Sequence, residues 1–99
     1  MNREVTDEKL EKYFDVSTRA YNKVKIVAPK GTHLHTMAID FLEMAKNYID
    51  DAQHFKEKGE IVTAFAALNY AHGWLDAGAR GGLFDVNHDN QLFTVDWMI

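Results

Sequence analysis

Apolar side chains recur at intervals of three and four residues along most of the chain, which is the spacing of one face of an α-helix. This spacing predicts three helices, over residues 7–28, 32–58 and 60–80. Pro29 ends the first helix because proline cannot continue it. Gly59 alone separates the second helix from the third. A glycine at such a point takes the left-handed conformation that reverses the chain, so these two helices should form an antiparallel hairpin.

The predicted third helix differs from the others because small or apolar side chains surround most of it. A helix of this kind is usually covered on several sides, here by the first two helices and by something else. Phe65 falls on the polar side of this helix. We therefore expect that either the C-terminal segment covers Phe65 or Phe65 is exposed to solvent. Five aromatic residues at helical spacing are expected in the core: Tyr48, Phe55, Phe65, Tyr70 and Trp74.

The C-terminal segment, residues 83–99, is apolar at both ends and rich in turn-forming residues in the middle. Burial of each large apolar side chain is worth about 1.5–3 kcal/mol, so this segment should pack on a surface. That surface is either the same bundle, where the segment would cover part of the third helix, or a second copy of the chain. We therefore predict an all-α fold: a three-helix up-and-down bundle with an extended apolar C-terminal tail packed on it, in a single domain over residues 1–99.

Composition narrows the possible functions of this 99-residue chain. It contains no cysteine, which excludes disulfides, thiolate metal sites and cysteine nucleophiles. The net charge is −4, which does not attract phosphate, and the basic residues Lys12, Arg19 and Lys23 lie beside acidic ones, so nucleic acid is not an expected partner. No apolar run is long enough to cross a membrane and the first residues are polar, so we expect a cytoplasmic protein with no membrane partner.

A polar strip on the third helix is the first candidate site. Asn69, His72, Asp76 and Arg80 are three or four residues apart and therefore lie on one side of the helix. In a functional interpretation, His72 carries a proton, Asp76 orients it and Arg80 binds an anionic ligand. In the alternative, the strip is a series of surface pairs that face water.

The second candidate site lies within residues 85–96. Asp85, Asn87, Asp89 and Asp96 occupy positions 1, 3, 5 and 12 of a loop that resembles an EF-hand, which suggests calcium as a cofactor. Asn90, however, stands where the EF-hand needs glycine, and an aspartate replaces the bidentate glutamate. The alternative is a turn rich in Asp and Asn with no cofactor at all.

One stretch of the sequence resembles a known family. Residues 58–80, together with Asp51, Ala52 and Phe55 before them and residues 82–85 and 92–95 after them, resemble the small archaeal proteins called domain of unknown function 357. The resemblance is most specific over residues 45–85. It implies a three-helix, up-and-down bundle with no assigned activity, so it supplies no catalytic residue.

Two classes of function remain open at this point. The first is an interaction module without catalytic activity, which binds another protein or assembles with itself as a homodimer; the apolar surplus favours this class. The second is a protein that binds a small ligand or a metal ion, conceivably an enzyme. It would use the strip of Asn69, His72, Asp76 and Arg80 or the loop of residues 85–96.

Overall fold

The computed structural model describes residues 4–87 and 89–93, and within them it contains three helices and one two-stranded ladder. The helices pack against one another in a bundle with extents of 41 × 27 × 17 Å. The predicted all-α, three-helix fold is therefore confirmed. The elements in chain order are α1 (Asp7–Lys23), β1 (Lys25–Ile26), α2 (His33–Glu57), α3 (Ile61–Arg80) and β2 (Phe84–Asp85).

Threonine side chains cap the N-terminal ends of the first two helices. The Thr6 hydroxyl accepts a hydrogen bond from the backbone N–H of Lys9 at 3.1 Å, and the Thr32 hydroxyl accepts one from His35 at 3.2 Å. Each hydroxyl satisfies a backbone N–H that has no partner inside its own helix. The starts of α1 and α2 follow from these local contacts, and both lie within one residue of the predicted positions.

The first helix ends at Lys23, and the prediction that it continues to residue 28 is wrong. The next residues include the β-branched Val24, Ile26 and Val27, which favour extended backbone. Strand β1 pairs in antiparallel register with β2, and the N–H of Val27 donates to the carbonyl of Leu83 at 3.0 Å. Because the partner strand is distant in sequence, periodicity alone did not indicate this change of backbone.

A tight turn at Gly59 joins α2 to α3. Gly59 has a φ of +80°, and its N–H donates to the carbonyl of Lys56 at 3.0 Å. The next N–H, that of Glu60, donates to the carbonyl of Phe55 at 2.9 Å. These two bonds form the Schellman arrangement, which satisfies carbonyls at the end of the helix. The predicted left-handed glycine and the helical hairpin are both confirmed.

Alanine side chains fill the interface between α2 and α3, the most extensive helix contact in the bundle. Small side chains at this interface let the two backbones approach closely, so the larger side chains lie at its margins. The fully buried alanines are Ala38, Ala45 and Ala52 on α2 and Ala64 and Ala71 on α3.

Helix α1 covers one side of α3. Tyr13 meets Phe65 edge to face, with ring centroids 4.7 Å apart, and the Lys9 ammonium lies 5.2 Å from the Phe65 centroid. The prediction that Phe65 is either covered by the C-terminal segment or exposed is wrong, because α1 covers it. The Lys9 ammonium is thus within the distance at which a cation is attracted to the face of an aromatic ring.

The described part of the C-terminal segment is packed on the same chain. Phe84 and Phe93 are buried in one core cluster with Ala20, Ala38 and Leu75. The predicted packing of the tail on α3 is thus confirmed as far as residue 93. Its last apolar residues, among them Val95 and Trp97, lie outside the described residues, as does Asp96.

Gly78 makes the packing of Phe84 possible. The residue lies inside α3, and a methyl group at this position would overlap the buried ring of Phe84. Glycine normally weakens a helix by about 1 kcal/mol relative to alanine. Its presence here is explained by the space that the phenylalanine ring requires.

We predict that Gly78→Ala destabilises the protein by about 1–3 kcal/mol, because displacing the Phe84 ring outweighs the gain in helix propensity. Gly73→Ala is the matched control, since nothing lies within 4 Å of the position a methyl group would take there. It should stabilise the helix by about 0.5–1 kcal/mol. Urea unfolding at a protein concentration at which light scattering shows a single chain, followed by circular dichroism, measures both without a contribution from self-association. Equal effects of the two substitutions would contradict the packing argument.

Candidate functional site

One face of α3 is left uncovered and forms a groove with α2. The groove has a volume of about 610 Å³. Most of the α3 residues that line it are exposed, and Trp74 is half-buried. The lining residues are Phe41 and Tyr48 on α2 and Ala66, Asn69, Tyr70, Gly73, Trp74 and Ala77 on α3.

Two aromatic pairs connect the helices along this groove. Phe41 and Trp74 meet edge to face, with ring centroids 5.0 Å apart and an interplanar angle of 77°. Tyr48 and Tyr70 stack, with centroids 5.3 Å apart and an angle of 17°. Such pairs contribute about 0.5–1.5 kcal/mol beyond the area they bury, and they hold the rings in fixed positions. The groove is therefore formed before anything binds in it.

The groove carries no charged side chain among its described lining residues. Tyr70 is 64% exposed, and Ala66, Gly73 and Ala77 are exposed on the same side of α3. The helix continues this apolar face toward its start with Val62, which is 69% exposed. An exposed apolar surface formed by neighbouring residues is typical of a binding site rather than of a surface that faces only water.

The structure divides the predicted polar strip between two environments. Asn69 is exposed and lines the groove. His72 lies on the other side, next to Phe93 of the C-terminal segment, with ring centroids 6.1 Å apart. Asp76 is half-buried and Arg80 is exposed, and each of them interacts with another group of the protein. A role of these four residues in binding a ligand stays a prediction.

His72 has an unusual feature for a residue on a predicted surface strip. Its Nδ1 atom is buried and has no hydrogen-bond partner among the described residues. A buried polar atom without a partner costs about 1–3 kcal/mol. The C-terminal segment covers this part of the strip, so the strip does not form an open row of side chains that face water.

Two aspartates of the second candidate site, Asp85 and Asp89, accept hydrogen bonds from nearby backbone N–H groups. Asp85 Oδ1 accepts the backbone N–H of Asn87 at 2.9 Å. Asp89 Oδ1 accepts the N–H groups of Gln91 and Leu92 at 3.0 and 2.9 Å, while its Oδ2 pairs with Lys23 at 2.8 Å. These bonds are typical of a turn stabilised by Asp side chains. Calcium binding stays a prediction, since Asp96 lies outside the described residues.

Asn87 lies at the tightest point of this turn, with a φ of +55°. Asparagine tolerates the left-handed conformation better than most residues do. A polar crevice of about 400 Å³ lies beside Asn87 and is lined also by Lys23, Lys25, Asp85 and Val86. In residues 4–87 and 89–93, no group of three or more His, Cys, Asp or Glu side chains is placed to hold a metal ion.

Two basic residues of α1, Arg19 and Lys23, lie next to acidic partners. Arg19 is 3.5 Å from Asp15, and Lys23 pairs with Asp89. Neighbouring opposite charges weaken the attraction for an extended phosphate backbone. This arrangement fits the mixed-charge face inferred from the sequence.

Sequence reasoning missed the groove. It placed Tyr70 in the core with four other aromatic residues, whereas the structure exposes most of Tyr70. The signal that could have indicated the groove was the excess of apolar surface around the third helix. That excess was noted, but nothing in the sequence showed which face would remain uncovered.

Comparison with known proteins identifies one family. The family described as "Protein of unknown function (DUF357)" matches residues 12–84, which include all of α2, α3 and the groove. No curated protein and no solved structure matches the chain significantly. Among the described helices, none is both long and apolar enough to cross a membrane. The match thus identifies the family and assigns no activity.

Asp89 should make stability depend on pH. Its hydrogen bond from Lys23 and those from the backbone of Leu92 and Gln91 lower the pKa of Asp89 below its ordinary value of 3.8. The carboxylate therefore stabilises the folded state fully above the unfolded-state pKa. This contribution disappears as the pH falls through the lower, folded-state pKa.

We predict that Asp89→Asn lowers the free energy of unfolding at pH 7 by up to about 1 kcal/mol. The difference from the unsubstituted protein should shrink as the pH falls below 3.8, where the carboxylate becomes protonated. Urea unfolding at several pH values measures this. Lys23→Met should have a similar effect at pH 7, and the double variant should lose less than the two single losses together. Additive losses would show that the pair does not interact.

Proposed function

We propose that this chain, which belongs to the DUF357 family of proteins of unknown function, is a small interaction module that assembles with a second copy of itself. The groove between α2 and α3 is its binding surface. The observation that carries this proposal is the exposed, uncharged and aromatic character of the groove.

The composition of the groove supports a protein partner. The centres of protein interfaces are depleted in charged residues and enriched in tyrosine and tryptophan, and the groove follows both trends. Tyr48 already supports Tyr70, and Phe41 already supports Trp74. These side chains therefore lose little conformational freedom when a partner covers them, which favours binding.

The charge distribution permits a second copy as the partner. The chain carries a net charge of −4, so two copies repel one another in general. In a symmetric dimer the same surface meets itself, and like charges at the contact would oppose association. The groove avoids this cost because its lining is neutral. The outer faces of α1 and α2, by contrast, carry charged pairs such as Asp15–Arg19 and Lys46–Asp50.

The proposal assigns binding rather than catalysis to the groove. Its polar side-chain groups are the Asn69 amide, the hydroxyls of Tyr48 and Tyr70 and the indole N–H of Trp74. Nucleophilic catalysis needs a nucleophile activated by a neighbouring base, and the lining residues include no histidine, lysine or carboxylate that could act as that base. We place this module in the cytoplasm, because a chain without cysteine suits a reducing compartment.

We predict that the protein elutes as a dimer with twice the 11.3 kDa mass of one chain, and that Ala66→Glu weakens this dimer by more than about tenfold. Ala66 is exposed and glutamate is a good helix former, so one chain should still fold. The dimer would bury the new carboxylate without a partner. Light scattering on a sizing column, over a dilution series, measures the dissociation constant.

Asn47→Glu is the matched control for this experiment. Asn47 is exposed on α2 and does not line the groove, and the substitution adds the same negative charge. It should leave the dissociation constant nearly unchanged. A protein that stays monomeric at every concentration would refute the proposed self-assembly. A dimer that Ala66→Glu and Asn47→Glu affect equally would show that the contact lies outside the groove.

A further inference from the structure

We infer that the two copies meet through antiparallel α3 helices, with Tyr70 of each copy packed over Gly73 of the other. This inference rests on the proposed self-assembly and adds the orientation and the register of the contact. It follows from the order of large and small side chains along the exposed face of α3.

The exposed face of α3 is a single line of residues. Val62, Ala66, Tyr70, Gly73 and Ala77 are separated by three or four positions, so they lie one above another on the helix. All five are exposed. Gly73 has nothing within 4 Å of the position a Cβ atom would occupy, so there is open space above it. We call this open space the depression at Gly73. The large ring of Tyr70 lies about one helical turn away from it.

Antiparallel pairing matches this line of residues with itself. When a second α3 is reversed and its Tyr70 is placed opposite Gly73, its Gly73 comes opposite Tyr70 of the first copy. The same register places Ala66 opposite Ala77 in both directions, because the two pairs share one midpoint, between positions 71 and 72. The Tyr70 ring of each copy then fills the space above Gly73 of the other. On either side of these two contacts, Ala66 of one copy meets Ala77 of the other.

A third pair obeys the same symmetry. In this register Val62 of one copy comes opposite Gly81, the exposed residue that caps the end of α3 in the other copy. Val62 thus meets a residue that has no side chain. The exposed line of α3 is complementary to its own reverse at these three pairs of positions, as a contact with twofold symmetry requires.

A parallel arrangement lacks this match. It would place Tyr70 against Tyr70 and Gly73 against Gly73, so the rings would hold the helices apart and leave a void at the glycines. Well-packed interfaces contain few such voids. The alanine and glycine residues between the large side chains instead allow the helix axes to approach to about 8 Å when the copies are antiparallel.

Cysteine substitutions test this arrangement, because the chain has no cysteine of its own. A disulfide forms only when the two Cα atoms are within about 7 Å. Ala66 and Ala77 of one chain lie about 16 Å apart along α3, so they are too far apart to bond within a chain. In the proposed dimer, however, Ala66 of each copy faces Ala77 of the other.

We expect the double variant Ala66→Cys/Ala77→Cys to form a covalent dimer under mild oxidation, and neither single variant to do so. Nonreducing gels and light scattering of the same samples provide the measurement. Asn47→Cys, exposed outside the groove, reports the background from random collisions. Circular dichroism confirms that each variant is folded.

The possible outcomes separate this inference from the proposed function. If each single variant forms a covalent dimer, the helices are parallel; the inference fails and self-assembly through the groove stands. If light scattering shows a dimer but no variant exceeds the Asn47→Cys background, the contact lies on another surface and the inference fails. If the unsubstituted protein is monomeric, both the inference and the proposed function fail.

Discussion

The close approach of α2 and α3 through buried alanines is the constraint on which the rest of the structure depends. Ala45 on α2 and Ala71 on α3 are fully buried, and α2 and α3 form the most extensive helix contact. The aromatic residues of both helices are therefore displaced to the margins. On one margin they enter the core beneath α1, as Phe65 does under Tyr13. On the other, Phe41, Tyr48, Tyr70 and Trp74 become the walls of the groove.

The remaining elements decide which side of α3 stays uncovered. The ladder between β1 and β2 ties the C-terminal segment to the end of α1. Gly78 admits the ring of Phe84, and Phe93 lies next to His72. The segment thus occupies the side of α3 that carries His72. The chain has no described element that covers the side with Tyr70, and this is why an apolar face remains exposed.

The chemistry of the exposed groove is the basis for our proposal that it serves recognition. A polar strip on an otherwise apolar helix is the obvious candidate for a site, but folding places His72 beside a phenylalanine and buries its Nδ1 atom. The groove instead offers rigid aromatic rings, small residues and no charge. These properties suit a large, flat contact with another protein surface, where shape and dehydration determine affinity. The family match includes every residue of this groove.

The sequence by itself determined the three helices, the starts of α1 and α2 and the hairpin at Gly59, because helical periodicity, threonine caps and a left-handed glycine act over a few neighbouring residues. It also indicated that α3 has more apolar surface than two helices would cover. Only the tertiary structure decided where α1 ends, since the strand that pairs with β1 is distant in the chain. Only the tertiary structure, likewise, decided that His72 is covered and Tyr70 exposed. Both lie on the same helix, and their surroundings depend on which element packs on each side, a property of the whole fold that local spacing does not contain.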